Sequence, residues 1–246
     1  MRISSKQVLV FTVPLTLVWF CLNYFNYKTT QKNTNQFSAV QFKPGFAYFL
    51  LALQWPKTFC KTQPKGKRPC NPNPPTHQDF TIHGLWPQFN SRKAPANCQP
   101  PPDMTPDDLR KFKEDLLAYW PDLHYANDFD KSVKFWRNEW KKHGTCSSNK
   151  FPTQQYLKIT IDLAKNYAQS ILSKMRAAGI NPDAATPHDE TNILSAVKDA
   201  TGHKAKLSFK SDATGQSLLQ EIRLCVKNDG VTLFDCNTAS LFADNL

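Results

Sequence analysis

Two histidines stand in segments equipped for proton transfer. His143 lies in Phe135-Trp136-Arg137-Asn138-Glu139-Trp140-Lys141-Lys142-His143-Gly144-Thr145-Cys146. The pattern predicts one helix ending at Gly144, rising ~1.5 Å per residue. Glu139 and His143 are four apart and Glu139 and Lys142 three apart, so all three side chains project from one face. An acid, a cation and an imidazole meet at the last turn. There the carbonyl end of the helix dipole favours positive charge on Lys142 and on a protonated His143. His83 follows Phe80-Thr81-Ile82 and precedes Gly84. This predicts a strand end at which the chain turns and leaves the imidazole accessible. A lone histidine is more often structural than catalytic, but two in opposite protonation states suit cleavage at a phosphodiester. One takes a proton from the attacking hydroxyl, and the other gives one to the departing oxygen. Lys142 would stabilise the charge that builds on phosphorus between them.

The elements that must position these groups follow from pattern and punctuation. The apolar run from Phe46 to Trp55, closed by Pro56, predicts a buried central strand. Residues 57–76, rich in Lys and Pro, read as a loop stapled by Cys60 and Cys70, with the charges solvated. Residues 90–107 read as a Pro-rich loop around Cys98. Thr105 then caps a helix over Leu109, Phe112, Leu116 and Leu117 that Trp120-Pro121 ends. Beyond the His143 helix, Thr153 caps a long amphipathic helix through Tyr156, Ile159, Leu163, Tyr167, Ile171 and Leu172, ending near Gly179. A shorter helix covers Glu190–Asp199. Strands follow over Lys206–Phe209, Leu218–Val226 and Val231–Asp235, the last two joined by the turn Asn228-Asp229-Gly230. Helices in the middle with strands at both ends predict an α+β fold: one domain, a central antiparallel sheet, helices packed around it, stapled by disulfides.

Composition agrees with a polyanionic partner. The chain has 246 residues and a formal charge of +11. Arg2, Lys6, Lys28 and Lys32 precede any acid, so residues 37–246 keep 27 bases against 20 acids. A basic surface of this size suits a polyanion such as RNA, although solubility alone is the plainer explanation. Arg2 and Lys6 before the apolar stretch Val8–Phe25 resemble a signal peptide. Thr12, Pro14, Thr16 and Asn23 interrupt the stretch and weaken a transmembrane reading, but no clear cleavage site follows. Residues 1–36 are therefore either a signal peptide or a retained signal anchor with a polar stalk, and residues 37–246 form the main domain. Cys21 lies in the leader. Cys60, Cys70, Cys98, Cys146, Cys225 and Cys236 remain, an even number that in an oxidising compartment implies three bridges among 15 pairings. Zinc is the rival, but no C-x-x-C or H-E-x-x-H spacing occurs, so no metal is expected.

Phe80-Thr-Ile-His83-Gly-Leu-Trp86-Pro87 and Phe135-Trp-x-x-Glu139-Trp-x-Lys142-His143-Gly-Thr-Cys146 resemble the two active-site segments of the ribonuclease T2 family. The likeness extends from about Phe46 to Cys236 and is closest to plant members, which include defence or phosphate-recycling ribonucleases and pistil S-RNases. It implies a metal-free, cofactor-free endoribonuclease acting on single-stranded RNA through a 2′,3′-cyclic phosphate that is opened slowly. Matched position by position, His143 is the general base and His83 the general acid, with Glu139 and Lys142 stabilising the transition state. Trp86 and Phe135 match aromatic residues near the base sites, Gln54 a residue that contacts a base in some plant members, and Asn138 a position where many members hold phosphate with a histidine. Large aromatic residues are more often core, which is the plainer reading for Trp136 and Trp140 and an equal rival for Trp86 and Phe135. The likeness also implies the bridges Cys60–Cys70, Cys98–Cys146 and Cys225–Cys236.

The chain departs from the family pattern at three points. Asn138 replaces the phosphate-holding histidine. A further C-terminal disulfide of plant members is missing at both ends, with Phe209 and about Leu241 in its places. No N-x-[ST] sequon occurs, whereas S-RNases are usually glycosylated. The resemblance implies a secreted monomer, with the vacuole, the secretory lumen or a membrane-anchored form as alternatives. DNA is excluded as substrate, and pollen-side protein partners are expected in the S-RNase case. A different class of answer is a catalytically reduced relative serving storage or recognition. His77, His124, His188 and His203 have no motif around them and are expected at the surface.

Overall fold

The predicted central strand is β1 (Tyr48–Gln54), and all seven of its residues are buried. In the computed structural model, residues 45–64, 68–71, 80–90, 93–98, 103–181 and 187–236 are described. The leader and stalk, Cys21, His77 and Leu241 lie outside them. β1 is flanked antiparallel by β2 (Thr81–Gln88) on one edge and β4 (Ser217–Lys227) on the other. β3 (Lys206–Ser211) and the two-residue β5 (Leu233–Phe234) pair with successive parts of β4. The sheet order is thus β2-β1-β4-β3.

Alternation along these strands sorts the two faces. Phe49, Leu51 and Leu53 of β1, with Ile222, Leu224 and Val226 of β4, enter the main core beneath the helices. Tyr48, Leu50 and Cys225 pack on the opposite face with Cys236, Trp86 and Phe234. In β2 the alternation slips. Leu53 pairs with Ile82 and Ala52 with Gly84, which leaves His83 as an extra residue in a β-bulge. Ile82 and Leu85 therefore both reach the main core although three apart. The strand end expected at His83 is thus overturned: β2 runs five residues past it, and the bulge rather than a turn re-aims the imidazole.

Helices cover the main core face. α1 (Pro56–Lys61) occupies the start of the segment expected to be loop, because the Pro56 that closes β1 also sits at the first helical position. The single helix expected after Thr105 is two, α2 (Pro106–Arg110) and α3 (Lys113–Tyr119), broken around Phe112. Thr105 does cap the first, through a reciprocal pair with Asp108. α4 (Phe129–Lys142) is capped by Asp128 and carries Glu139, with His143 as its C-cap and a 3₁₀ turn over Gly144–Ser147 beyond. α5 (Thr153–Ala177) packs across β1 and β2; its N-cap is Pro152, so Thr153 is the first helical residue rather than the cap. α6 (Glu190–Thr201) packs on α5. No helix among the described residues is long and apolar enough to cross a membrane.

Three disulfides join Cys60–Cys70, Cys98–Cys146 and Cys225–Cys236, the pairing implied by the family likeness. The second ties the chain just beyond α4 to the loop after β2, where the Asn97 amide also donates to the Lys142 carbonyl at 2.8 Å. The architecture is α+β, an open antiparallel sheet backed by helices.

Candidate active site

The bulge delivers His83 to the side of the sheet that carries Glu221, Arg223 and Trp86. Its backbone is fixed from the core: the Trp120 indole donates to the His83 carbonyl at 2.9 Å, and the Trp136 indole to the Trp120 carbonyl at 2.7 Å. Trp136 and Trp140 are buried in the core. Next to His83, Gly84 serves by its lack of a side chain. A Cβ there would collide with the Glu139 carboxylate and the Trp86 indole nitrogen. Gly144 likewise lies against the Trp140 ring rather than in a left-handed cap.

Trp86 is the hub of the constellation. Its Nε1–H donates to Glu139 Oε2 at 3.1 Å, which brings β2 to α4. The His83 ring stands edge-on to it at 5.1 Å between centroids, and the His143 ring lies 5.3 Å away at a shallow tilt. The Arg223 guanidinium sits 5.3 Å from the Trp86 ring centre. Both imidazoles and Glu139 thus converge on one indole.

The two histidines are shifted in opposite directions. Burial would lower the pKa of His83, but its Nδ1–H donates to Glu221 Oε1 at 2.6 Å. That bond and the charges of Glu221 and Glu139 outweigh burial and the opposing Arg223, so the pKa is raised. His143 goes the other way, down to about 3, through burial first and then the positive charges of Lys142 and His83. Its Nδ1 is buried with no hydrogen-bond partner among the described residues. The dipole argument for a protonated His143 therefore fails: the helix end is worth less than burial beside two cations. Burial also pushes the Glu139 carboxyl above the usual range, opposed by His83, the Trp86 N–H and Lys142. Lys142 is exposed at the last turn of α4.

A cleft of about 580 Å³ opens beside His83, with Gln54, Phe135 and Asn138 in its lining. Phe135 is half-buried and edge-on to Trp120. Gln54 is almost wholly buried and donates to the Ile82 carbonyl at 3.4 Å, whereas Asn138 is exposed. Trp86, Glu139 and His143 are not part of this lining; they meet His83 at the Trp86 ring. The cleft also holds Phe59, Tyr125, Arg68 and His124, whose ring packs edge-on to Phe59. His124 is therefore a cleft residue. His188 stacks parallel to Trp55, and His203 lies 3.3 Å from Asp235. A larger cavity, about 740 Å³, lies along α4 around Arg137 and Lys141 without either catalytic histidine candidate.

Sequence reasoning missed Glu221. Its signal was a Glu and an Arg two apart within the apolar run Leu218–Val226, so both project from one face of the strand. Among the described residues, no group of three or more His, Cys, Asp or Glu side chains is arranged to hold a metal.

A family model, the Ribonuclease T2 family, matches residues 46–236. Extracellular ribonuclease LE of Solanum lycopersicum is 32% identical over 204 residues, covering 82% of this chain and 86% of the relative. Ribonuclease S-7 of Nicotiana alata is 33% identical over 198 residues, covering 78% and 82%. Among solved structures, ribonuclease MC1 from bitter gourd seeds superposes with a TM-score of 0.68 at 31% identity, over 78% of this chain and 95% of that one.

Proposed function

The chain belongs to the ribonuclease T2 family, as a ribonuclease of the plant type, and from that premise we propose that it cleaves single-stranded RNA endonucleolytically by a metal-free acid–base reaction. What carries the reading is a pair of imidazoles of opposite protonation in contact with one indole, beside a cleft. Neutral His143 accepts the proton of the ribose 2′-OH as its oxygen attacks phosphorus. Protonated His83 gives its proton to the departing 5′-oxygen, and a 2′,3′-cyclic phosphate results. Lys142 stabilises the charge that develops on the phosphoryl oxygens, and Glu139, oriented by the Trp86 N–H, joins it as the protonated acid that its burial favours. Water opens the cyclic phosphate by the same roles reversed. Phe135, Trp86, Gln54 and Asn138 are assigned to base and phosphate contacts, and an aromatic platform contributes ~1–3 kcal/mol per stacked base without much selectivity.

DNA resists because it lacks the 2′-OH nucleophile. The purified full chain should convert an RNA oligonucleotide to cyclic-phosphate ends, leave the matching DNA intact and keep its rate in EDTA. His83→Ala and His143→Ala should each lose about 10²–10⁴-fold. Cleavage of DNA, inhibition by EDTA or a wild-type rate in either variant would overturn the mechanism. RNA binding without cleavage would favour a storage or recognition role.

The protein is a monomer in this reading, and its secretion is supported by three disulfides and the basic-then-apolar leader. N-terminal sequencing of the native protein, and its mass in solution, test this. Style-restricted, allele-variable transcripts would mark a self-incompatibility role with pollen-side partners. Leaf or root induction would mark defence or nutrient recycling.

A further inference from the structure

We propose that Glu221 is the positioning residue of the general acid: its carboxylate, shared between His83 and Arg223, fixes which imidazole nitrogen faces the scissile phosphate and the pH at which that nitrogen gives up its proton. The inference rests on the ribonuclease reading above and adds a residue to its machinery.

Glu221 sits opposite Gln54 in the β1–β4 register, so it reaches His83 of β2 from two strands away. Ala52, on the intervening strand, pairs with Arg223 on one side and Gly84 on the other. A methyl group and a hydrogen there leave the space between β4 and β2 open. Without the bulge, Ile82 and Leu85, three apart, would fall on opposite faces of the sheet, and only one of them could join the core. One Glu221 oxygen accepts from His83 Nδ1 at 2.6 Å and the other from Arg223 Nε at 2.9 Å. The Glu221 side chain is only 4% exposed, against 32% for His83, so the carboxylate is the fixed partner and the imidazole keeps an open edge.

The chemistry follows from these bonds. A carboxylate only accepts, so Nδ1 carries a hydrogen in both charge states and Nε2 faces the substrate. In the first step the Nε2–H bond breaks as the O5′–H bond forms, leaving a neutral ring still hydrogen-bonded to Glu221. The bare Nε2 then accepts a proton from the water that opens the cyclic phosphate. The charged groups facing His83 are Glu221 and Arg223 of β4 and Glu139 of α4, with His143 at the end of α4. Across the cleft stand Asp122, His124, Arg68, Lys131 and Lys134. Of these only Glu221 bonds the ring directly. Arg223 pulls the other way, so the pair tunes the acid from both sides.

The full-length Glu221→Gln variant keeps shape and removes charge. Its alkaline limb of kcat/KM on RNA, and the His83 titration midpoint read by NMR, should both move to lower pH by on the order of one unit. The rate loss should therefore be larger at neutral than at acidic pH. Arg223→Met should move both readings upward. A limb and midpoint left in place by Glu221→Gln would overturn the proposal, whatever the change in rate or melting temperature, because a purely structural ion pair would not set them. Should Glu221→Gln not fold, Glu221→Asp, which retracts the carboxylate, must move the midpoint down instead. If the wild-type chain cleaves no RNA, the ribonuclease reading falls, while the NMR titration still decides whether Glu221 governs His83.

Discussion

At the residue scale, the two imidazoles differ because their neighbours differ. His83 has a carboxylate on its Nδ1; His143 has Lys142 beside it, and no bond to its buried Nδ1 among the described residues. The pH dependence follows with its signs. On the proposed roles, His143 must be neutral to act as base, so kcat/KM should rise as pH passes about 3. The acid must be protonated, so kcat/KM should fall once pH climbs through the raised pKa of His83, above 6.5. Between them lies a broad plateau in mildly acidic solution. Bound substrate puts a phosphodiester anion beside His143 and favours its cation, so the acid limb of kcat should lie above that of kcat/KM. Rate profiles in both parameters check this; a kcat/KM acid limb near 6.5 would contradict it.

At the element scale, a bulged strand and a helix end are brought together by two glycines that serve close approach rather than a left-handed backbone. Gly84 lets the β2 backbone approach Glu139 and Trp86, and Gly144 lets the chain leave α4 over the face of Trp140. Gly84→Ala should therefore displace Glu139 from the Trp86 N–H, lower kcat and destabilise by about 1–3 kcal/mol through overpacking. Gly215→Ala is the contrast. It lies in the β3–β4 turn at φ +85° with open space around it, so it should cost about 1 kcal/mol of backbone strain and leave kcat unchanged. Denaturant melts and single-turnover rates on both variants separate packing at the site from conformational strain elsewhere.

At the scale of the whole molecule, Cys98–Cys146 joins the end of α4 to the loop after β2 across 48 residues of chain. Closing a loop of that length contributes about 4 kcal/mol on the chain-entropy account, more than the 10- and 11-residue loops of the other two bridges. Replacing both cysteines with serine should cost the most stability of the three pairs. It should also lower kcat before the protein melts, because His143 and His83 stand on the two segments it couples. Thermal unfolding of the three double variants, with rates taken well below each midpoint, tests that order.

The sequence by itself determined the fold class and nearly all the strands and helices, and its two motifs named the four residues proposed for catalysis. Apolar periodicity and caps act locally, and the two motifs keep their chemistry within a few residues of each helix or strand. It could not show that β2 continues through His83, since a bulge is defined only by the register of the neighbouring strand. Nor could it show that Thr153 begins rather than caps α5, or that α2 and α3 are separate. Tertiary structure alone decided the direction in which the His143 pKa moves, since burial beside Lys142 and His83 opposes the helix dipole. It alone paired Glu221 with His83, because a contact between residues 138 positions apart exists only once β1 lies between their strands.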